Sequence, residues 1–166
     1  MMIPGIEQIS GIWRGKINLN SWNDFFGDNI IIELNIGGDK KVNNLEIRHK
    51  EAYEYILNHQ SELLENIMFS LLSEYSNMQD EYRYDDDEIN KYMPSVNSIH
   101  DFSKLMLPKR IYILDIEKDN LSYIGFSFSC SWDDEHGYGV MMHKNRVVKM
   151  GGEETAFLSW VAEKDI

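Results

Sequence analysis

An α+β fold is predicted, with a mostly antiparallel sheet packed against one long or two consecutive helices. Three observations carry this. Residues 30–36 (IIIELNI) place Ile30, Ile32, Leu34 and Ile36 on one face at a period of two. From Glu51 to about Met78 the apolar spacing changes to three and four, the helical period. Beyond residue 110, short alternating runs separated by turn residues read as a meander. Strands, then helix, then strands is the order of an α+β domain. With 166 residues, 43% of them hydrophobic, one domain over 1–166 is expected to hold one core.

At the start of the chain, residues 11–19 (GIWRGKINL) put Trp13, Ile17 and Leu19 on one side of a strand. Residues 21–29 are polar around an aromatic pair and a glycine, and are expected as a loop. After the strand at 30–36, Gly37-Gly38-Asp39 turns the chain, and 42–48 is a weaker strand that would pair with it as a hairpin. In the helical stretch Tyr53, Ile56, Leu57, Leu64, Ile67, Met68, Leu71, Leu72 and Tyr75 recur with no Gly or Pro between them. The polar Asn58-His59-Gln60-Ser61 leaves one helix or two open, with Ser61 as a candidate cap. Ser98 caps a short helix over 99–106, which Pro108 stops. Strands come next at 111–116, 121–132, 138–143 and 146–150, and a short helix at 155–162. In 121–132, Phe126, Phe128, Cys130 and Trp132 alternate with Ser127, Ser129 and Ser131, giving an apolar face and an exposed serine face.

Charge narrows the function classes. Against 28 Asp and Glu stand 16 Lys and Arg, a net charge of -12. Such a surface repels nucleic-acid phosphates and anionic membranes, so neither is an expected partner. No run approaches the roughly 18 apolar residues of a membrane span. The opening MMIPGIEQISGIWRG lacks the basic and apolar regions of a signal peptide. A single cysteine, Cys130, excludes an internal disulfide and fits a reducing, cytoplasmic setting. On the apolar strand face it is expected to be buried and inert. No GxSxG surrounds the serines, and Gly37-Gly38-Asp39-Lys40-Lys41 lacks P-loop spacing. His49, His59 and His100 read as surface or satisfied histidines.

Two segments stand out. Residues 79–90 (QDEYRYDDDEIN) hold six acids and one arginine, a local charge of -5, and are expected as a solvated loop closed by Pro94. Asp80, Glu81, Asp85, Asp86, Asp87 and Glu88, with Tyr82 and Tyr84 as anchors, are the candidate surface for a basic protein partner; the plainer reading is a solubilising loop. The second is Trp132-Asp133-Asp134-Glu135-His136-Gly137-Tyr138-Gly139. Three carboxylates and an imidazole in four positions suit a cation or an acid–base pair, with His143, Glu153 and Glu154 as the nearest further ligands. The competing reading is a structural turn, in which Asp133 accepts backbone N–H groups and Gly137 supplies a positive φ. Neither HExxH nor EF-hand spacing is present.

The tail FSFSCSWDDEHGYGVMMHKNRVVKMGGEETAF resembles the end of the uncharacterised bacterial DUF6985 family. Trp132, Asp133, Glu135, His136, Gly137, Gly139 and Val140 match that family's Trp-Asp-x-Glu-His-Gly-x-Gly-Val string. Val148 and Gly151-Gly152 match its ending, with Met150 where a β-branched residue is commoner. The resemblance implies fold and lineage, not an activity, and a place among small bacterial proteins of toxin–immunity loci; no cofactor is expected. The favoured expectation is therefore a non-enzymatic, immunity-like binding domain whose partner is a basic protein such as a toxin. The alternative is a metal-binding or hydrolytic domain centred on Asp133, Asp134, Glu135 and His136.

Overall fold

The computed structural model describes residues 2–166. Seven strands, β1 (Glu7–Ile9), β2 (Ile12–Asn18), β3 (Ile31–Gly37), β4 (Met106–Lys118), β5 (Leu121–Cys130), β6 (Tyr138–His143) and β7 (Arg146–Gly151), form one sheet in chain order. All neighbours are antiparallel except β3 and β4, which run parallel. A parallel pair needs a crossover. Here α2 (Ile47–Asn58), α3 (Gln60–Tyr82), α4 (Asp86–Tyr92) and a 3-10 turn (Ile99–Lys104) provide it.

That crossover overturns the hairpin expected at 42–48. Residues 42–46 are irregular and Ile47 already starts α2. A reciprocal cap decides this: Glu46 accepts from the His49 backbone, and the His49 ring accepts from the Glu46 N–H at 2.9 Å. The loop expected at 21–29 is also corrected, because α1 spans Asn20–Phe26. Trp22 and Phe26, one helical turn apart, are buried, and Trp22 stacks on Phe128 at 6.0 Å and 9°. Gly27, at φ 72°, ends the helix.

The long helical stretch breaks once. His59 leaves helical geometry (φ -129°, ψ 30°) and stacks on Tyr55 at 3.9 Å. Since α3 starts at Gln60, His59 holds the cap position expected of Ser61. Trp22 Nε1 donates to the Gln60 carbonyl at 2.8 Å, tying α1 to the break. Ala52 and Ile56 of α2 and Leu64, Ile67, Leu71 and Tyr75 of α3 share one buried cluster with Ile17, Ile32, Leu34, Phe126 and Phe128. The 3-10 turn carries a Ser98–Asp101 capping box and ends before Leu105. Pro108 does not stop it; it lies within β4, beside a register shift between Pro108 and Arg110.

The second face of β4–β6 is covered too, which corrects the exposed serine ladder. Residues 153–163, a 3-10 turn (Glu153–Ala156) and α5 (Ser159–Glu163), lie across it. Ala156, Val161 and Ala162 pack there on Tyr112, Leu114, Tyr123 and Met141. Gly125 permits this approach, since a Cβ there would lie 1.6 Å from the Ala156 carbonyl oxygen. Ser122 and Ser127 are consequently buried, and Ser129 is exposed. Asp39, in the expected turn, accepts from the Ser159 N–H at 3.1 Å and from its hydroxyl, fastening the tail.

Candidate functional site

The Trp132–Gly139 string joins β5 to β6. Trp132 is fully buried, edge-on to Tyr75 at 6.1 Å and Tyr138 at 5.6 Å, and so anchors the turn in the core. Asp133 organises the rest of the turn. Its Oδ1 accepts from the His136 backbone N–H at 3.2 Å and lies 2.9 Å from His136 Nδ1, while its carbonyl accepts from the Gly137 N–H at 2.8 Å. Gly137 sits at φ 75°, and a Cβ there would meet the Phe128 carbonyl oxygen at 2.6 Å. Asp134, Glu135 and His136 are exposed. The hydrogen bond and charge of Asp133 raise the His136 pKa. Cys130 is buried, and burial pushes its thiol up to about 12, far from a reactive thiolate.

The 79–90 segment differs from its expected form. It is helix–turn–helix rather than loop. α3 continues through Tyr82, Arg83 turns at φ 51°, and α4 begins at Asp86. Asp86, Asp87 and Glu88 occupy the first turn of α4, where the helix dipole favours negative charge. Met78 is buried, and Tyr84 and Ile89 pack on the core, so tertiary contacts hold the segment down despite its charge.

These two segments, remote in sequence, meet. Tyr84 donates its hydroxyl hydrogen to the Trp132 carbonyl at 2.5 Å, and Ser131 donates to the Tyr92 carbonyl at 2.8 Å. Tyr84 stands between Tyr82, ring-parallel at 6.2 Å and 4°, and Tyr92 at 5.1 Å. An open groove of about 740 Å³ lies between α4 and the turn, its charged lining Glu88, Asp133, Asp134 and Glu135 against the single cation Lys91, with Tyr84 and Tyr92 between them. One cation already uses this aromatic surface: Lys91 Nζ lies 5.1 Å from the Tyr92 ring centroid. Of the other residues singled out, Asp80, Asp85, Asp86 and Asp87 do not line the groove, and Glu81 and Tyr82 line a different one beside β7. Trp132, Gly137 and Gly139 support the turn from beneath; a Cβ on Gly139 would lie 2.5 Å from the Gly152 carbonyl oxygen.

Among the described residues, no group of three or more His, Cys, Asp or Glu is placed to hold a metal ion. His136 and Asp133 engage each other. His143 is buried and bonds the Lys118 carbonyl at 2.8 Å, and Glu153 pairs with Lys109 at 3.0 Å. Sequence reading misses one polar cluster, at the start of α2. Since His49 Nδ1 accepts from Glu46, Nε2 carries the hydrogen and donates to Asp115 Oδ1 at 3.0 Å. Arg48 Nη2 reaches the same oxygen at 2.6 Å. Burial lowers the His49 pKa despite Asp115. With both nitrogens engaged and no exposed surface, His49 is a fastener between α2 and β4. Its partner lies 66 residues away, so no local pattern announces the pair.

Among the described residues no helix is long and apolar enough to cross a membrane. No curated protein and no solved structure matches the chain. The family model described as Domain of unknown function (DUF6985) matches residues 13–158, from the second residue of β2 to the residue before α5, and the chain belongs to that family.

Proposed function

We propose that this protein is a non-enzymatic binding module, and that the groove between α4 and the Trp132–Gly139 turn is its contact face for a basic protein. One observation carries the reading: the two segments that stand out in sequence for charge and aromatic content form the two walls of one groove. Glu88, Asp134 and Glu135 have no ion-pair partner among the described residues, so a cationic surface can neutralise them without breaking an internal pair. Tyr84 and Tyr92 add rigid, amphipathic rings, and a cation over such a ring gains further attraction. The net charge of -12 steers a basic partner toward the face and raises its on-rate. An immunity-like inhibitor in a bacterial cytoplasm, covering the phosphate-binding surface of a basic toxin, is the specific form of this proposal.

The test is cross-linked affinity capture from the native cytoplasm, with the wild type beside a Glu88→Lys, Asp134→Lys, Glu135→Lys triple variant. The expected result is a basic protein retained by the wild type, released as salt rises, and lost by a triple variant whose melting curve is unchanged. Retention by the triple variant, or capture of no basic protein, overturns the proposal.

A further inference from the structure

A second groove, of about 550 Å³, runs along the far edge of the sheet between β7 and α3. β7 is an edge strand, and among the described residues β6 is its one neighbour. Outside that ladder, the main chain of 146–150 makes no backbone hydrogen bond among the described residues. Proteins commonly blunt such an edge with prolines or charges, or cover it. β7 has no proline. A register shift opposite Met141 and Met142 leaves Val148 as an extra residue, so pairing is expected on the regular stretch at 149–151. Both charged side chains, though exposed and with Lys149 bordering the groove, are engaged by the tail. Arg146 bonds Asp165 at 2.5 and 3.0 Å, and Lys149 Nζ lies 4.7 Å from the Trp160 ring centroid.

α3 forms the opposite wall. It is fixed at the tip of the β6–β7 hairpin, where Asn66 donates to the Asn145 carbonyl at 2.6 Å and Asn145 donates to Glu62. It is fixed again at the far end, where the Tyr138 hydroxyl meets Met78 Sδ at 3.8 Å. From Asn66 to Tyr82 the helix rises about 24 Å, and from Asn145 to Gly152 the strand rises about 23 Å. The two walls thus run side by side for the whole strand. Ser70 and Ser73 are small and leave room, while Met78 and Tyr82 offer apolar contact. Glu74 and Glu81 face the groove, and neither has an ion-pair partner among the described residues.

We propose that the β7 edge accepts an extended basic segment of a protein partner as an eighth strand, laid between β7 and α3. Main-chain bonds to β7 give such a segment its affinity, and alternate side chains reach the helix wall. Its charge follows from the unpaired Glu74 and Glu81 beside it. The inference goes beyond the proposed function: it adds a second contact site in a separate groove, and rests on that reading only for the basic character of the partner.

The experiment titrates the full chain with a short capped peptide of alternating valine and lysine, read by amide hydrogen exchange and backbone NMR shifts. Two control peptides carry N-methyl groups on every second amide, or glutamate in place of lysine. Protection of outward β7 amides is expected from the first peptide and from neither control. A Glu74→Lys, Glu81→Lys variant should weaken that binding about tenfold or more. No β7 protection at any peptide concentration overturns strand addition, as does equal binding by the N-methylated peptide. Shifts confined to 84–92 and 133–135, abolished by the Glu88→Lys, Asp134→Lys, Glu135→Lys variant, overturn it while leaving the α4 groove standing. Protection of β7 that this triple variant does not alter supports strand addition at a site separate from the α4 groove, which stands or falls by its own capture experiment.

Discussion

The Trp132–Gly139 turn and the 79–92 segment face each other across one groove, yet their shapes have different sources. The turn is built from within: Asp133 bonds His136 and Gly137, and Gly137 takes the positive φ. The acidic segment is held from outside. Gln79 Nε2 donates to the Met93 carbonyl at 2.8 Å, the Tyr75 hydroxyl to the Pro94 carbonyl at 2.8 Å, and Tyr84 to Trp132. A locally determined turn keeps its form when neighbours change. A segment held by distant contacts loses its form when those contacts go.

The largest effect expected comes from the support of the externally held segment. Leu71 in α3 has no exposed surface, and Leu71→Ala should cost roughly 2–5 kcal/mol in chemical denaturation. A cost near the surface range of about 0.5 kcal/mol would place Leu71 outside the core. Next is Gly137→Val, which puts a β-branched residue at φ 75° and drives its Cβ into the Phe128 carbonyl. Backbone strain and overpacking together should cost about 3 kcal/mol. Gly137→Ala, measured beside it, keeps the strain and reduces the bulk, so a smaller loss is expected. Equal stability of Gly137→Val and wild type would show that the turn is not fixed from within.

Tyr84→Phe tests the join itself. It keeps the ring between Tyr82 and Tyr92 and removes one hydrogen bond to Trp132, so about 1 kcal/mol is expected. Hydrogen exchange should rise in α4 and stay unchanged at 133–137. A rise at both would mean that the turn depends on the segment. Asp87→Asn with Glu88→Gln removes two charges from the first turn of α4. Dipole stabilisation is lost and mutual repulsion is relieved, leaving a net change within about 1 kcal/mol in thermal or urea denaturation.

The same contrast explains how much is legible in the sequence. The turn can be read because its determinants are adjacent: an acid that accepts N–H groups, a glycine where φ is positive, and a tryptophan closing an apolar face. The β5–β6–β7 meander can be read for the same reason. α1 escapes such a reading because Trp22 gains its helical sense from Phe126 and Phe128, a hundred residues on. α4 escapes it because charge density alone cannot say that acids will fall at a helix N-terminus and face outward. The buried serine face escapes it because its cover, residues 153–163, approaches through Gly125 and Gly139, which a strand pattern records only as gaps. That the two candidate segments share a groove depends on single long-range bonds such as Tyr84 to Trp132, separated by 48 residues.

The smallest effect separates the two regions by pH. His136 is exposed, and its Nδ1 lies 2.9 Å from Asp133 Oδ1. That hydrogen bond is the main cause of its raised pKa, followed by the charge of Asp133, with Glu135 and Glu154 adding to it. A raised folded pKa means that the native state holds this proton more tightly than the unfolded chain does. The stabilisation is therefore complete below the unfolded value of about 6.5 and disappears as pH rises through the folded value. His49 acts in the opposite sense, because burial lowers its pKa, so the wild-type profile alone mixes the two. The difference between wild type and His136→Gln cancels His49 and isolates the turn. In urea denaturation that difference should be larger at about pH 5.5 than at about pH 8.5. A gap that is flat or widens with pH would show that Asp133 does not hold the imidazolium. Adding Tyr84→Phe to both chains should leave the pH dependence of the gap unchanged, because the turn's own residues set it. If it instead vanishes when Tyr84 loses its hydroxyl, the turn too is held from outside.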